Sequence, residues 1–191
     1  MINILYEPFP DSITADGLNF RIQTDFREWL RFADMLADRE LTTEEKAYLC
    51  SKWLEPEPEI VTESIVMAML SFYRADGLHP DPPEPDEEDE PEPPHPPYFD
   101  WKTDAAFLLG DFRHYYGIDL LTVDFLHWYE FRALFEALPD DSTCMKRIAY
   151  RSADLSKIRD KNERARIARI QKRIALPFAP DDEMIGEIFA F

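Results

Sequence analysis

Four histidines, two cysteines and 39 carboxylates are the side chains of this 191-residue sequence that could do acid–base, metal or nucleophilic chemistry. His79 and His95 lie at or inside a stretch of prolines and acids, whereas His114 and His127 fall in two aromatic segments too far apart to share one helix face. A metal site would need those two to meet across a pair of helices with an acid such as Asp111 or Asp124, because zinc requires three or four converging ligands. Core or hydrogen-bonded histidines are the simpler reading. Cys50 and Cys144 stand singly in apolar helical surroundings, where a thiol behaves as a small core residue. Five scattered glycines give no phosphate-cradling loop, and the sequence has no C-x-x-C, H-E-x-x-H or G-x-S-x-G pattern. Carboxylate pairs are so abundant that no one pair singles itself out for general acid–base work. The expectation is a protein that is not an enzyme and carries no metal or cofactor.

The elements that position these residues are mostly helical. With 45% hydrophobic and 14% aromatic residues the chain has enough apolar material for a core. Ile13 and Phe20-Arg21-Ile22 flank Ala15-Asp16-Gly17, which predicts a small N-terminal β-hairpin. Asp25 with Glu28, and Thr42 with Glu45, have the spacing of capping boxes, each opening a helix. The first carries Phe26, Trp29, Leu30, Ala33 and Leu36. The second carries Leu49, Cys50, Trp53 and Leu54 and must stop before Pro56. A third runs from about Thr62 to Ala75 and ends at Gly77. Beyond residue 97, Asp100 is placed to cap a helix through Leu108, Phe112 and Tyr116 that Gly117 terminates, and Thr122 to cap another running to Pro139. Those two are expected to pack as a helical hairpin. A short helix from about Thr143 to Tyr150 and a basic one from about Asp160 to Ala175 complete a mainly α fold, a bundle of about six to seven helices with the small hairpin.

Residues 80–97 hold nine Pro, eight Asp or Glu and one His, with no other apolar side chain, so nothing there offsets the entropy of ordering. They are read as a disordered, extended linker between an N-terminal half, 1–79, and an aromatic-rich C-terminal half, 98–191. The net charge of −18 is uneven: residues 141–175 contain eleven Lys or Arg against four acids, +7, which leaves −25 elsewhere. Such a bipolar chain favours self-association or a charge-complementary partner, both weakened by salt. The basic segment also raises a nucleic-acid-binding regulator acting through 160–175. The surrounding negative charge and the lack of interleaved aromatics disfavour it. No run is long and apolar enough to span a membrane, and the first residues lack a leader pattern, so a cytosolic protein is expected.

Several stretches together resemble one known group: Asn3-Ile4-Leu5-Tyr6-Glu7; Asp16-Gly17 ahead of Thr24-Asp25-Phe26-Arg27-Glu28-Trp29; Tyr116-Gly117-Ile118-Asp119-Leu120; Leu126-His127-Trp128; and Phe131-Arg132-Ala133-Leu134-Phe135. Lys161 through Arg164 and Leu176-Pro177 extend the likeness. The chain is similar to the bacteriophage gene-product-15 proteins of siphophage tail modules. It departs from them at Tyr129, where relatives tend to carry a second Trp, and in the Pro/acidic insertion. The resemblance implies a tail assembly chaperone that holds the tape measure protein, with the major tail protein as a further partner, and that is absent from the mature virion. A structural tail component or completion protein is the alternative within the same setting. Because Trp, Tyr and Arg dominate interface hot spots, the candidate partner-binding residues are the exposed members of Tyr115, Tyr116, Trp128, Tyr129 and Arg132, with Arg164, Arg166 and Arg169 of the basic helix. An apolar stripe at helical spacing is more often core, and Trp128 and Phe131 are the first residues to which that applies.

Overall fold

A computed structural model describes residues 3–79 and 98–176, so the stretch read as a Pro/acidic linker, 80–97, and residues 177–191 lie outside the described residues. The chain divides into two units. The first comprises described residues 3–79 and 125–136, and the second 98–124 and 137–176.

In the first unit, β1 (Ser12–Ala15) and β2 (Leu18–Ile22) pair antiparallel, with Ala15 opposite Leu18. Asp16 and Gly17 between them both have positive φ, 51° and 75°, the two-residue turn whose twist matches that of the strands. Alternation puts Ile13, Ala15, Phe20 and Ile22 on the buried face. A strand that periodicity did not reveal, β3 (Leu54–Glu55), adds to the other edge of β2. α1 (Phe26–Ala37) is capped by Asp25, whose carboxylate accepts from the Arg27 amide at 2.9 Å. The expected reciprocal box is not formed there, because the Glu28 carboxylate pairs with Arg31. It is complete at α2 (Thr43–Cys50), where Thr42 Oγ1 accepts from the Glu45 amide and the Glu45 carboxylate accepts from the Thr42 amide. α3 (Glu63–Arg74) is capped by Thr62. The left-handed residue that ends it is Ala75, φ 58°, and not Gly77, which lies in the following 3₁₀ turn.

The last helix of this unit, α5 (Trp128–Glu136), starts later than Thr122 would place it. Residues ahead of it are drawn into an extended bridge with the entry to α1: the Phe26 amide donates to the Leu126 carbonyl at 3.0 Å and the Trp128 amide to the Thr24 carbonyl at 2.7 Å. α5 then packs on α1, with Phe26 and Phe131 stacked at 4.9 Å. Trp29, Phe32, Met69, Trp128 and Phe131 are fully buried.

The second unit is built from α4 (Ala105–Asp111), α6 (Thr143–Ser152) and α7 (Lys161–Ile174), with α6 in contact with both others. A π-helical turn, Phe112–Tyr116, continues α4, and Gly117 ends it at φ 68°, as the sequence predicts. Ser142 and Asp160 cap α6 and α7 through the amides of Met145 and Glu163. α4 begins just after Asp104 and not after Asp100. Of the two helices expected to form a hairpin around Gly117, α4 belongs to this unit and packs on α6, whereas α5 belongs to the first unit and packs on α1. Mainly helical, with seven α-helices among the described residues and a small N-terminal sheet, the fold class is the one read from the sequence.

Candidate partner-binding surfaces

Of the groups with chemical potential, His127 and the two cysteines are built into the fold. His127 is buried, stacked on Phe9 at 4.9 Å between ring centroids. Its Nε2 donates to the Pro10 carbonyl at 3.1 Å and its Nδ1 accepts from the Tyr129 amide at 3.1 Å, which together fix one neutral tautomer. Burial lowers its pKa, against the Pro10 carbonyl and Asp11, which raise it. His114 is exposed on the π-helical turn, in the other unit. His79 contacts the Glu136 carboxylate at 2.5 Å, and His95 lies outside the described residues. Burial pushes the Cys50 thiol up to about 11, and burial with the Asp111 carboxylate raises Cys144 further. Both thiols are therefore protonated near neutrality, unlike activated nucleophiles. Among the described residues no group of three His, Cys, Asp or Glu is placed to hold a metal.

Of the aromatic candidates, Trp128 and Tyr129 offer no surface. Trp128 is fully buried, stacked on Tyr73 at 5.6 Å, and its Nε1 donates to the Tyr73 carbonyl at 2.9 Å. Tyr129 is buried against Phe72, and burial followed by the Asp76 charge pushes its hydroxyl up to about 12. Arg132 donates to the same Tyr73 carbonyl at 3.1 Å, pairs with Glu136 and lies over the Trp128 ring. Two side chains on α5 thus satisfy the end of α3, where helical carbonyls lack partners. The Nε of Arg132 is buried without a hydrogen-bond partner among the described residues. Tyr115 and Tyr116 are half-buried, Tyr115 reaching Asp141 at 3.4 Å and Tyr116 packing edge-on against Phe112.

The basic helix is half committed. Ile167 and Ile170 are half-buried and Ile174 is buried, while Arg164, Arg166 and Arg169 are exposed. Arg166 is held by Glu163 through two hydrogen bonds, and Arg169 donates to the Ala165 carbonyl of its own helix. Arg164 has no side-chain partner among the described residues.

Sequence reasoning missed two exposed apolar features of the first unit. One is the segment at residues 3–7. The Glu7 amide donates to the Asn3 carbonyl at 2.8 Å and the Asn3 amide to the Glu7 carboxylate at 3.0 Å, closing a turn that leaves Leu5 90% and Tyr6 76% exposed. The other is an open groove of about 610 Å³ with Ala47, Tyr48, Pro58 and Val61 in its lining and Glu44, Glu57 and Glu59 around them. Tyr48 is exposed there, and Ile60, between the lining residues Glu59 and Val61 in sequence, is exposed as well. The available signal was that Tyr48 is an aromatic on a charged helix flank and that Ile60 follows two prolines.

The family profile described as Bacteriophage Gp15 protein matches residues 5–176. The chain belongs to this bacteriophage family. No curated protein and no solved structure matches it. The family suggests a structural or assembly-related phage protein. Most of the stretches that carried the resemblance turn out to hold the fold together. Asp16-Gly17 is the hairpin turn, Asp25 caps α1, and Gly117 ends the π-helical turn. Asp119 accepts from Arg113 at 2.5 Å and from the Leu121 amide at 3.0 Å, and His127 and Trp128 anchor α5. Exceptions are Ile4-Leu5-Tyr6, which the closed turn presents outward, and the stretch from Lys161 to Arg164, where both of those cations are exposed.

Proposed function

We propose that this protein is a tail assembly chaperone of its phage, holding the tape measure protein, and tail subunits with it, while the tail is built. It acts in the host cytoplasm, by adhesion and without catalysis, and leaves before the virion is complete. The reading is supported chiefly by membership of the bacteriophage Gp15 family across residues 5–176. An adhesive role also accords with a buried, hydrogen-bonded His127 and protonated thiols, and with exposed apolar side chains that offer a means of interaction. Leu5 and Tyr6 are the contact points of this reading: their turn is closed by its own hydrogen bonds, so presenting them costs little further ordering. No described helix is long and apolar enough to cross a membrane.

The test is co-expression with the tape measure and major tail proteins of the same phage, followed by affinity capture. The wild-type chain should retain the tape measure protein. Leu5→Asp with Tyr6→Asp should weaken capture at least tenfold while the circular dichroism spectrum stays unchanged, since both side chains are solvent-facing. Mass spectrometry of purified particles supplies the second measurement, and stoichiometric presence of the chain there would replace the chaperone by a structural tail component or completion protein.

A further inference from the structure

The groove beside α2 and the exposed face of α7 are complementary in charge. Glu44 and Glu59 at the groove have no ion-pair or hydrogen-bond partner among the described residues, whereas Glu57 is already held by Lys52 and Ser51. Between them the Tyr48 ring is 61% exposed and already carries one cation, the Lys52 ammonium 4.5 Å from its centroid. The site therefore suits further long cationic side chains: their stems cover apolar surface while their heads reach carboxylates or the ring face.

α7 supplies such side chains. Lys161, Arg164, Lys172 and Arg173 are exposed and have no carboxylate partner among the described residues. Exposed Ala165 lies one turn from Lys161 and Arg169, leaving a low point among long cations where a ring can seat. The isoleucine stripe faces its own unit, so the basic face is not needed for folding.

We propose that the groove lined by Tyr48, Glu44 and Glu59 receives the basic face of α7 from a second copy of this chain. The charge pattern is what makes the occupant a second copy: the groove rim is acidic, and residues 141–175 are where the positive charge of the sequence is concentrated, +7 against −25 for the remainder. Contacts of this kind are made by exposed charges, so they are screened as the Debye length contracts from about 20 Å near 20 mM salt to a few ångströms near 500 mM. Association through two different surfaces can close as a reciprocal dimer or continue head to tail.

Sedimentation velocity of the full chain tests this without any phage partner. At about 20 mM salt the mass should reach two chains or more, and at about 500 mM it should fall to one. Glu44→Lys with Glu59→Lys should abolish association, as should Arg164→Glu with Arg169→Glu; all four positions are exposed, and circular dichroism checks folding. Mixing the two folded variants should restore it, because the reversed groove then meets the reversed helix. A wild-type chain that stays single at low salt overturns the proposal, as does association indifferent to both reversals or a mixture that stays dissociated. Low-salt binding to duplex DNA that the α7 reversal removes, without self-association, assigns the helix to a phosphate backbone instead. Capture of the tape measure protein is read separately through Leu5 and Tyr6, so either idea can fail alone.

Discussion

The two units are held together by different physics. In the first, rings do the packing: Trp29 stacks on Phe72 at 4.8 Å, Tyr73 on Trp128 at 5.6 Å and Trp128 on Phe131 at 5.5 Å. In the second, a buried carboxylate organises three segments. Asp104 is wholly buried and receives Arg147 Nε at 2.8 Å, two nitrogens of Arg151 at 2.5 and 2.9 Å, and the Asp100 amide at 3.2 Å. Arg151 also donates to the carbonyls of Tyr98 and Ile174, tying the chain before α4 and the end of α7 to α6. Asp111, likewise buried, accepts from the Thr143 and Cys144 amides at the start of α6, a helix end that favours an anion. An aromatic core tolerates changes of salt because few of its contacts depend on charge, whereas a buried ionic knot is specific in geometry and costly to break from one side.

The comparison breaks most sharply under paired truncation. Trp128→Ala should cost about 3–5 kcal/mol by opening a cavity among the rings. Asp104→Ala should cost a similar ~3–5 kcal/mol by leaving two guanidinium groups facing an unpaired interior. Hydrogen exchange read peptide by peptide should show the first loss in α1, α3 and α5 and the second in α4, α6 and α7; the same pattern from both variants would contradict the distinction.

Acid should separate the units next. Burial pushes the Asp104 carboxyl up, but Arg151, Arg147 and the Asp100 amide outweigh it and leave the group below its ordinary value. Its stabilisation is therefore present above the ordinary carboxylate pKa and is lost as the pH falls below about 4. His127, whose folded pKa lies below 6.5, acts over a higher window. The neutral ring is the folded form, so stability of the first unit declines as the pH falls from about 6.5 downward, with loss of the Tyr129 amide contact at Nδ1. Titration of the His127 ring signals by NMR should give a midpoint under 6.5. A midpoint at or above that value would remove the effect.

Local signals matter least in size. Thr42→Ala should cost about 1 kcal/mol through the capping box, read from the midpoint of urea unfolding. Tyr48→Ala, at an exposed ring, should change that midpoint by less than about 0.5 kcal/mol, which separates a binding surface from a supporting one.

What the sequence disclosed divides along the same line. The Asp16-Gly17 turn, the Thr42–Glu45 box and the Gly117 stop were legible because each depends on a few neighbouring residues with particular φ or side-chain reach. The start of α5 was not, because Leu126 and His127 are made extended by Thr24 and Asp25, a pairing across a hundred residues that no local period records. Asp104 was hidden by number: among 39 acids nothing local distinguishes the one that meets two arginines on α6. Trp128 and Tyr129 matched the hot-spot composition of an interface, yet the same apolar mass is what a core selects. The groove at Tyr48 escaped notice because its two sides come from α2 and from the irregular run after Pro56.

That α5 belongs with the first unit also bears on how the chain is made. Emerging from the ribosome, residues up to 79 present Trp29, Phe72 and Tyr73 with no Trp128 or Phe131 to cover them, and they must wait until residue 136 has been synthesised. A nascent protein in that state holds an uncovered aromatic face, so a fragment cut within the linker should be released as an aggregation-prone intermediate, and adding a peptide of residues 125–136 should rescue it.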